Sequence, residues 1–112
     1  MTPPQRFNLD IDEGGSMRVT TIYSFTNQFV YGRVLDAVCG RGVGSDILAH
    51  GCEEVVAVDN STEAINYAKK HYEDVKFVCE DIPEFLPSCK DRFDCVVARA
   101  QIRLLSNRIQ FT

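Results

Sequence analysis

The chain has 112 residues, which fits one domain, since domains commonly hold roughly 100–200 residues. Hydrophobic residues make up 45% of the chain and charged residues 25%, proportions typical of a globular protein and unlike those of a disordered chain. The formal net charge of −4 argues against nucleic acid as the main partner, because binding to a phosphate backbone needs a basic surface.

The start of the chain predicts neither a helix nor a strand. Residues 1–16 contain two prolines, two glycines and three acidic residues, a composition typical of irregular structure. They hold no apolar leader, and nowhere does the chain reach the ~18 consecutive apolar residues of a membrane span. We therefore expect one domain over residues 1–112 with an irregular lead-in over 1–16, no membrane contact and a cytoplasmic location. From Met17 to Tyr31 the mixed apolar spacing favours a helix.

Four short apolar runs follow, separated by helical or loop segments. The runs are RVLDAV, EVVAVD, VKFVCE and FDCVVA. Gly51 ends the predicted helix SDILAHG, Asn60 with Glu63 resembles a capping box for the next helix, and PEFLPSC predicts a proline-broken connection. Parallel strands are buried on both faces and are therefore continuously apolar. The alternation predicts an α/β fold, a Rossmann-like parallel sheet with flanking helices, truncated to about four strands.

Cysteine and histidine side chains indicate no catalytic or metal site. The five cysteines form no CxxC pair, so neither a disulfide framework nor a zinc site is predicted, and we expect reduced thiols. Both histidines fall in predicted helices and are expected at the surface. Residues 99–112 carry three arginines and no acidic residue, which predicts a solvated helix face.

The strongest indication of a binding site is a glycine-rich turn. Gly40, Gly42 and Gly44 come directly after a predicted strand and open a predicted helix. Glycine lets the backbone turn sharply and approach a ligand closely, while the N-terminus of a helix offers free N–H groups. A tight turn without a ligand would also explain these glycines.

Acidic residues lie at the ends of three predicted strands, where the carboxyl ends of parallel strands meet. Asp59 follows Gly40 by about 20 residues, the offset at which an acid accepts hydrogen bonds from ribose hydroxyls in nucleoside-binding α/β folds; helix capping is the alternative role. Asp81 follows the third strand, and Asp36 precedes the glycines. The spacing GxGxG, with Ser45 as the next residue, departs from the dinucleotide pattern. Asp36 would repel a pyrophosphate but suit a ligand with a cationic amino-acid end.

Longer motifs carry a family resemblance. The segments VLDAVCGRGVGS, VVAVDNS, VKFVCEDI and FDCVVA, in this order and spacing, resemble the successive motifs of class I S-adenosylmethionine-dependent methyltransferases. Arg6 with Phe7, the pair Gly14 and Gly15, and FDCVVARAQIRLL are similar to the branch of that family that acts on small molecules. The resemblance implies S-adenosylmethionine as cofactor and methyl transfer to a small-molecule acceptor, whose identity the sequence does not indicate.

The resemblance implies that one set of residues binds the amino-acid part of S-adenosylmethionine. Gly40, Gly42 and Gly44 would contact its methionine part. Asp36 would lie near its amino group, and Ala98 would lie where the backbone of the family approaches this end of the ligand.

A second set of residues would bind the nucleoside. The resemblance implies that Asp59 holds the ribose hydroxyls with Asn60 beside it. Asp81 would accept a hydrogen bond from the adenine amino group, and the backbone of Ile82 would meet the ring. No catalytic residue and no metal ligand is implied.

The chain also departs from the family. Ala100 and Leu104 replace a glutamate and a histidine of the small-molecule branch, so no acceptor-side residue is indicated. The family has a seven-stranded sheet, whereas this sequence predicts about four strands and leaves FDCVVA with an unpaired edge. Unpaired edges attract further strands, so we expect a homodimer around residues 93–111. Two alternatives stay open: a non-catalytic or partner-dependent module that binds S-adenosylmethionine or S-adenosylhomocysteine, and a dinucleotide-binding domain.

Overall fold

A computed structural model describes residues 5–8, 16–89, 92–98 and 101–110, and the side chains of 19–89 and 92–98. No helix within these ranges has the length and hydropathy needed to cross a bilayer. The described residues form six strands and four helices. In chain order these are β1 (Gln5–Asn8), α1 (Ser16–Thr26), β2 (Arg33–Asp36), α2 (Val43–Ala49), β3 (Glu54–Asp59), α3 (Thr62–His71), β4 (Lys76–Cys79), α4 (Ile82–Ser88), β5 (Arg92–Ala98) and β6 (Gln101–Gln110).

The strands form one sheet in the order β1-β6-β5-β2-β3-β4. The four strands β5, β2, β3 and β4 run parallel, and helices connect them, because a parallel strand needs a crossover to return to the same end of the sheet. The predicted α/β fold with four parallel strands is therefore confirmed. Strand β6 runs antiparallel to both of its neighbours.

Two hydrophobic clusters cover the two faces of the parallel strands. Side chains alternate along a strand, so Val55 and Val56 of β3 point to opposite faces. Val55 lies in the cluster that contains Leu48 of α2, and Val56 lies in the cluster that contains Phe85 of α4. This two-sided burial explains why β3 is continuously apolar in sequence.

Two segments at the ends of the chain differ from the prediction. Residues 5–8, expected to be irregular, form β1 and pair with β6, with Gln5 opposite Leu104. Residues 101–110, expected on a helix face, form β6 and pair with β5. This pairing joins opposite ends of the chain, so the local sequence pattern did not indicate it. Gly14, Gly15 and Ala100 lie outside the described residues.

The pairing of β5 removes the reason for the expected homodimer. Strand β5 bonds to β2 on one side and to β6 on the other, so the edge predicted to be unpaired is covered by the same chain. A second copy is not needed to satisfy the backbone N–H and C=O groups of FDCVVA.

The helices follow the prediction with two corrections. Helix α1 lies in the region predicted to be helical, but PEFLPSC forms most of α4 and not a broken connection. Pro83 lies in the first turn of α4, where a proline loses no helical hydrogen bond, and Pro87 lies near the end of the helix. The N-cap of α3 is Ser61, not Asn60, because the Ser61 hydroxyl accepts a hydrogen bond from the Ala64 N–H at 3.2 Å.

The burial of Phe93 gives a stability prediction. Phe93 is fully buried in the cluster that includes Phe85, and Phe93→Ala should lower the free energy of unfolding by about 3–5 kcal/mol because it opens a cavity in a close-packed core. Urea denaturation measures this loss. Phe25, with 41% of its surface exposed, is the matched control, and Phe25→Ala should lower it by less than about 1 kcal/mol. Equal losses would contradict this assignment of the core.

Candidate functional site

A cleft of about 220 Å³ opens at the carboxyl ends of β2, β3 and β4. In open α/β sheets, ligands bind outside the carboxyl ends of the strands. Each of the three strands contributes residues that immediately follow it or end it. The lining residues are Ala37, Val38, Asp59, Asn60, Glu80, Asp81, Ile82 and Pro83. The structure therefore brings together all four residues that were predicted to bind a nucleoside.

Asp59 connects the ends of two neighbouring strands. It is the last residue of β3, and its Oδ2 accepts a hydrogen bond from the Gly40 N–H at 2.9 Å. Its Oδ1 accepts from the Ser61 N–H, also at 2.9 Å. An ionised carboxylate has about four acceptor positions, so both oxygens keep the capacity to accept from a ligand. Asp59 both orders the rim of the cleft and presents charged acceptors to it.

Asp81 and Ile82 form the far side of the cleft, at the start of α4. Asp81 is the N-cap residue of this helix, but its side chain makes no capping hydrogen bond, and its backbone carbonyl accepts from the Phe85 N–H at 2.8 Å. The Asp81 carboxylate is exposed. Ile82 packs against the cluster that contains Phe85, which fixes the main chain at the cleft edge.

The three glycines of the turn differ in what surrounds their Cα atoms. A Cβ at Gly42 would lie 2.7 Å from Phe77 Cζ, and φ at Gly42 is 96°. A Cβ at Gly44 would lie 2.5 Å from the ring of Tyr23. Gly40 has φ of 57°, and a Cβ there would meet nothing within 4 Å. Close packing therefore explains Gly42 and Gly44, and Gly40 is the glycine that borders open space.

Asp36 lies beneath the glycine turn and is fully buried. The Tyr23 hydroxyl donates to its Oδ1 at 3.2 Å, and the Ser45 hydroxyl donates to its Oδ2 at 2.8 Å. Burial raises the pKa of Asp36 to about 6, although the hydrogen bonds from Ser45, Tyr23 and the Val38 backbone act to lower it; the charge of Asp59 adds to the rise. The sequence placed Asp36 near a cationic group of a ligand. The structure turns both oxygens towards α1 and α2, so Asp36 presents no exposed surface to a ligand.

Ala98 ends β5, which lies beside β2 in the sheet. It is half-buried and pairs with Gln101 of β6. The neighbouring Val97 carbonyl accepts from the Ala37 N–H at 2.7 Å, which holds the start of the glycine turn against β5. Ala98 therefore lies at the same edge of the sheet as the cleft but does not line it.

Sequence reasoning missed six residues of this region. Four of them line the cleft, beside the glycine turn or beside Asp81 and Ile82, and these positions are signals that could have found them: Ala37, Val38, Glu80 and Pro83. Tyr23 and Ser45 support the turn from below. Tyr23 lies in α1, 13 residues before Asp36, so no pattern within one element connects the two residues.

The cleft is acidic. Asp59, Glu80 and Asp81 line it, and carboxylates at such short range favour a ligand with positive charge and repel phosphate. Burial raises the pKa of the Cys39 thiol to about 12, helped by the charges of Asp36 and Asp59, so this thiol is neutral and a poor nucleophile. In the part of the chain that the structure describes, no three His, Cys, Asp or Glu side chains group together to hold a metal ion.

Comparison with known proteins identifies the family. Residues 34–111 match the family described as "Methyltransferase domain", and the chain belongs to this family, within the class I S-adenosylmethionine-dependent methyltransferases. The class named from the sequence motifs is therefore confirmed.

Individual relatives are similar over most of this chain. An uncharacterized RNA methyltransferase of Protochlamydia amoebophila is 31% identical over 98 residues, which cover 83% of this chain and 23% of that protein. The plantazolicin methyltransferase BpumL has a TM-score of 0.59 at 25% identity, covering 75% of this chain and 35% of that one. An rRNA methylase of Streptococcus thermophilus has a TM-score of 0.57 at 14% identity, covering 77% and 55%. The chain thus spans about a quarter to a half of the proteins it matches.

The packing at Gly42 predicts that Gly42→Ala lowers the free energy of unfolding by more than Gly40→Ala does. Both positions have positive φ, for which an L-residue costs about 1–2 kcal/mol. At Gly42 the new methyl group also collides with Phe77, and such overpacking adds about 1–3 kcal/mol. Urea denaturation of Gly42→Ala and Gly40→Ala should show this order. A reversed order would contradict the description of the turn.

The buried Asp36 predicts a pH-dependent difference between wild type and Asp36→Asn. The pKa of Asp36 rises from its ordinary 3.8 to about 6 on folding, so the folded state binds the proton more tightly than the unfolded state. Its contribution to stability is complete below the ordinary pKa and is lost as the pH rises through the folded pKa. Asn does not titrate, so the unfolding free energy of the variant relative to wild type should rise by about 2–3 kcal/mol from about pH 4 to pH 7. Urea denaturation at several pH values measures this difference, and a constant difference would contradict the assignment.

Proposed function

We propose that this chain binds S-adenosylmethionine in the cleft and transfers its methyl group to a small-molecule acceptor. The observation that carries the proposal is the position of the Asp59 carboxylate, which bonds the Gly40 N–H at 2.9 Å while lining the cleft. A carboxylate at this point can accept from both hydroxyls of a ribose, with the amino-acid part of the ligand extending over Gly40.

The other residues of the cleft fit the remaining parts of this cofactor. The exposed Asp81 side chain makes no capping hydrogen bond and can accept from the amino group of adenine, and the backbone of Ile82 lies beside it. Asn60 stands next to Asp59 at the ribose position. Ala98, at the end of β5, lies on the side where the amino-acid end would extend. The open space at Gly40 lets the ligand approach the backbone closely.

The charge of the site also fits. S-adenosylmethionine, when bound, supplies a methyl group on a positively charged sulfur, and transfer of that methyl to a lone pair of the acceptor releases the neutral thioether S-adenosylhomocysteine. The acidic lining of the cleft attracts the cationic cofactor. Alignment of acceptor and methyl group supplies much of the rate of such an in-line displacement. A nucleophilic residue of the chain is therefore not required.

Three observations bear on the acceptor. The acidic cleft and the net charge of −4 disfavour a phosphate backbone at this surface and support a small molecule. Crystal structures of BpumL hold monoazolic and pentazolic desmethylPZN analogues together with S-adenosylhomocysteine. The 31% identity to a protein named as an RNA methyltransferase favours RNA as the second candidate acceptor.

Methyl transfer is tested by following the release of S-adenosylhomocysteine with two sets of acceptors. The first set contains small molecules with oxygen, nitrogen or carbon nucleophiles, and the second is an unmodified rRNA transcript. Release with small molecules supports the proposal. Release with RNA alone assigns the second acceptor. Binding of S-adenosylmethionine without release in either set assigns a cofactor-binding module that does not turn over by itself.

The role of Asp59 is tested by Asp59→Asn. The variant keeps the shape of the side chain but loses its charge and one acceptor oxygen, and hydrogen bonds to charged groups contribute about 1.5–3 kcal/mol. The affinity for S-adenosylhomocysteine, measured by calorimetry, should therefore fall by about tenfold or more. Asp74→Asn, at an exposed aspartate outside the cleft, should leave the affinity unchanged.

NAD serves as the comparison ligand in the same calorimetry. A wild-type chain that binds NAD but neither S-adenosylmethionine nor S-adenosylhomocysteine would overturn the proposed function. Unchanged affinity in a folded Asp59→Asn protein would overturn the ribose assignment.

A further inference from the structure

A side chain of α1 contacts both ends of the segment that carries the glycine turn. Tyr23 is buried, with 5% of its surface exposed. Its hydroxyl donates to Asp36 at the end of β2. Its ring packs so closely on Gly44 that a Cβ added there would lie only 2.5 Å from a ring atom. One residue of α1 therefore fixes where the segment from 36 to 44 begins and where it enters α2.

The second oxygen of Asp36 completes the arrangement. It accepts from Ser45 of α2 at 2.8 Å, so the carboxylate joins α1, β2 and α2 at one buried point. On the opposite side of the turn, the Gly40 N–H donates to Asp59. The turn is thus held from below through Asp36 and from the cleft side through Asp59.

We propose that Tyr23 is a positioning residue for cofactor binding, which acts through Asp36 and Gly44 to hold Gly40 and Asp59 in the arrangement that meets the ligand. This inference rests on the proposed function. Tyr23 does not line the cleft, so its effect on a ligand is carried by the turn. If Tyr23 only packed against its neighbours, it would affect stability alone. Because its hydroxyl bonds to a titratable group, we expect its effect on ligand affinity to depend on pH.

The direction of that effect follows from the protonation of Asp36. The charged carboxylate accepts from both hydroxyls, whereas a protonated carboxyl must use one oxygen as a donor. Protonation therefore weakens the contact with α1 and α2, and affinity for the ligand should fall as the pH drops through about 6. The Tyr23 hydrogen bond acts to lower the pKa of Asp36. Its removal should move the midpoint of this loss to higher pH.

The groups around Asp36 leave it as the residue expected to titrate in this range. Asp59 of β3 acts on it through its charge, and the Cys39 thiol has a pKa of about 12 and stays neutral. Tyr23 of α1, Ser45 of α2 and the backbone N–H of Val38 are the hydrogen-bond donors to Asp36. The two histidines, His50 and His71, are exposed near the ends of α2 and α3, and a His50→Gln/His71→Gln double variant should leave the pH midpoint unchanged.

The experiment measures the dissociation constant of S-adenosylhomocysteine by calorimetry from about pH 5 to pH 8. Tyr23→Phe keeps the ring and removes the hydroxyl, and it should weaken binding by about three- to tenfold near pH 7 and shift the pH midpoint upward. Asp36→Asn should abolish the midpoint. Tyr31→Phe, at a tyrosine with 48% of its surface exposed, is the matched control and should change neither quantity.

Urea denaturation separates positioning from simple stabilisation. Tyr23→Phe that lowers the free energy of unfolding but leaves the dissociation constant and its pH midpoint unchanged overturns the proposal. Ser45→Ala, which removes the donor to the other oxygen, should shift the midpoint in the same direction as Tyr23→Phe, and a shift to lower pH also overturns it. A wild-type chain that binds no S-adenosylhomocysteine at any pH overturns the proposed function itself.

Discussion

The hydrogen bond between the Gly40 N–H and the Asp59 carboxylate joins the ends of two parallel strands. Gly40 adopts φ of 57°, a backbone conformation that favours glycine, and in this conformation its amide donates to the carboxylate at the end of β3. Through its other oxygen Asp59 also accepts from Ser61, the N-cap residue of α3. One carboxylate therefore sets the relation between the glycine turn, β3 and α3. The cleft exists in its present shape because these three elements meet there.

The opposite side of the turn depends on the buried carboxylate of Asp36, which is unfavourable to desolvate. Burial of Asp36 without a cationic partner would be highly unfavourable for a charged carboxylate. The hydroxyls of Tyr23 and Ser45 offset part of this cost, and the pKa of Asp36 still rises to about 6. A leucine at this position would pack more easily but could not connect α1 to α2. The fold thus keeps a carboxyl group with a raised pKa in its core, where it connects α1, β2 and α2 beneath the glycine turn.

Most of the parallel sheet could be predicted from the sequence because its strands are short, apolar and separated by helices. Asp59, Asn60, Asp81 and Ile82 could be placed at one edge because the carboxyl ends of parallel strands align. The side chain of Asp36 could not be oriented, since β2 is buried on both faces and its pattern does not distinguish them. Nor could β1 and β6 be predicted, because their pairing depends on contacts between the two ends of the chain. The contact of Tyr23 with Asp36 also joins two different elements, although the residues are only 13 apart.

The most direct measurement is a titration of the isotope-labelled chain with S-adenosylhomocysteine, followed by backbone amide chemical shifts. The proposed site predicts that the largest changes fall on residues at the carboxyl edge of β2, β3 and β4, namely Val38, Gly40, Asn60 and Ile82. Residues 51–53, at the opposite edge of the sheet before β3, should change little. Large changes at residues 51–53 with none at the carboxyl edge, or no changes at saturating ligand, would contradict the account.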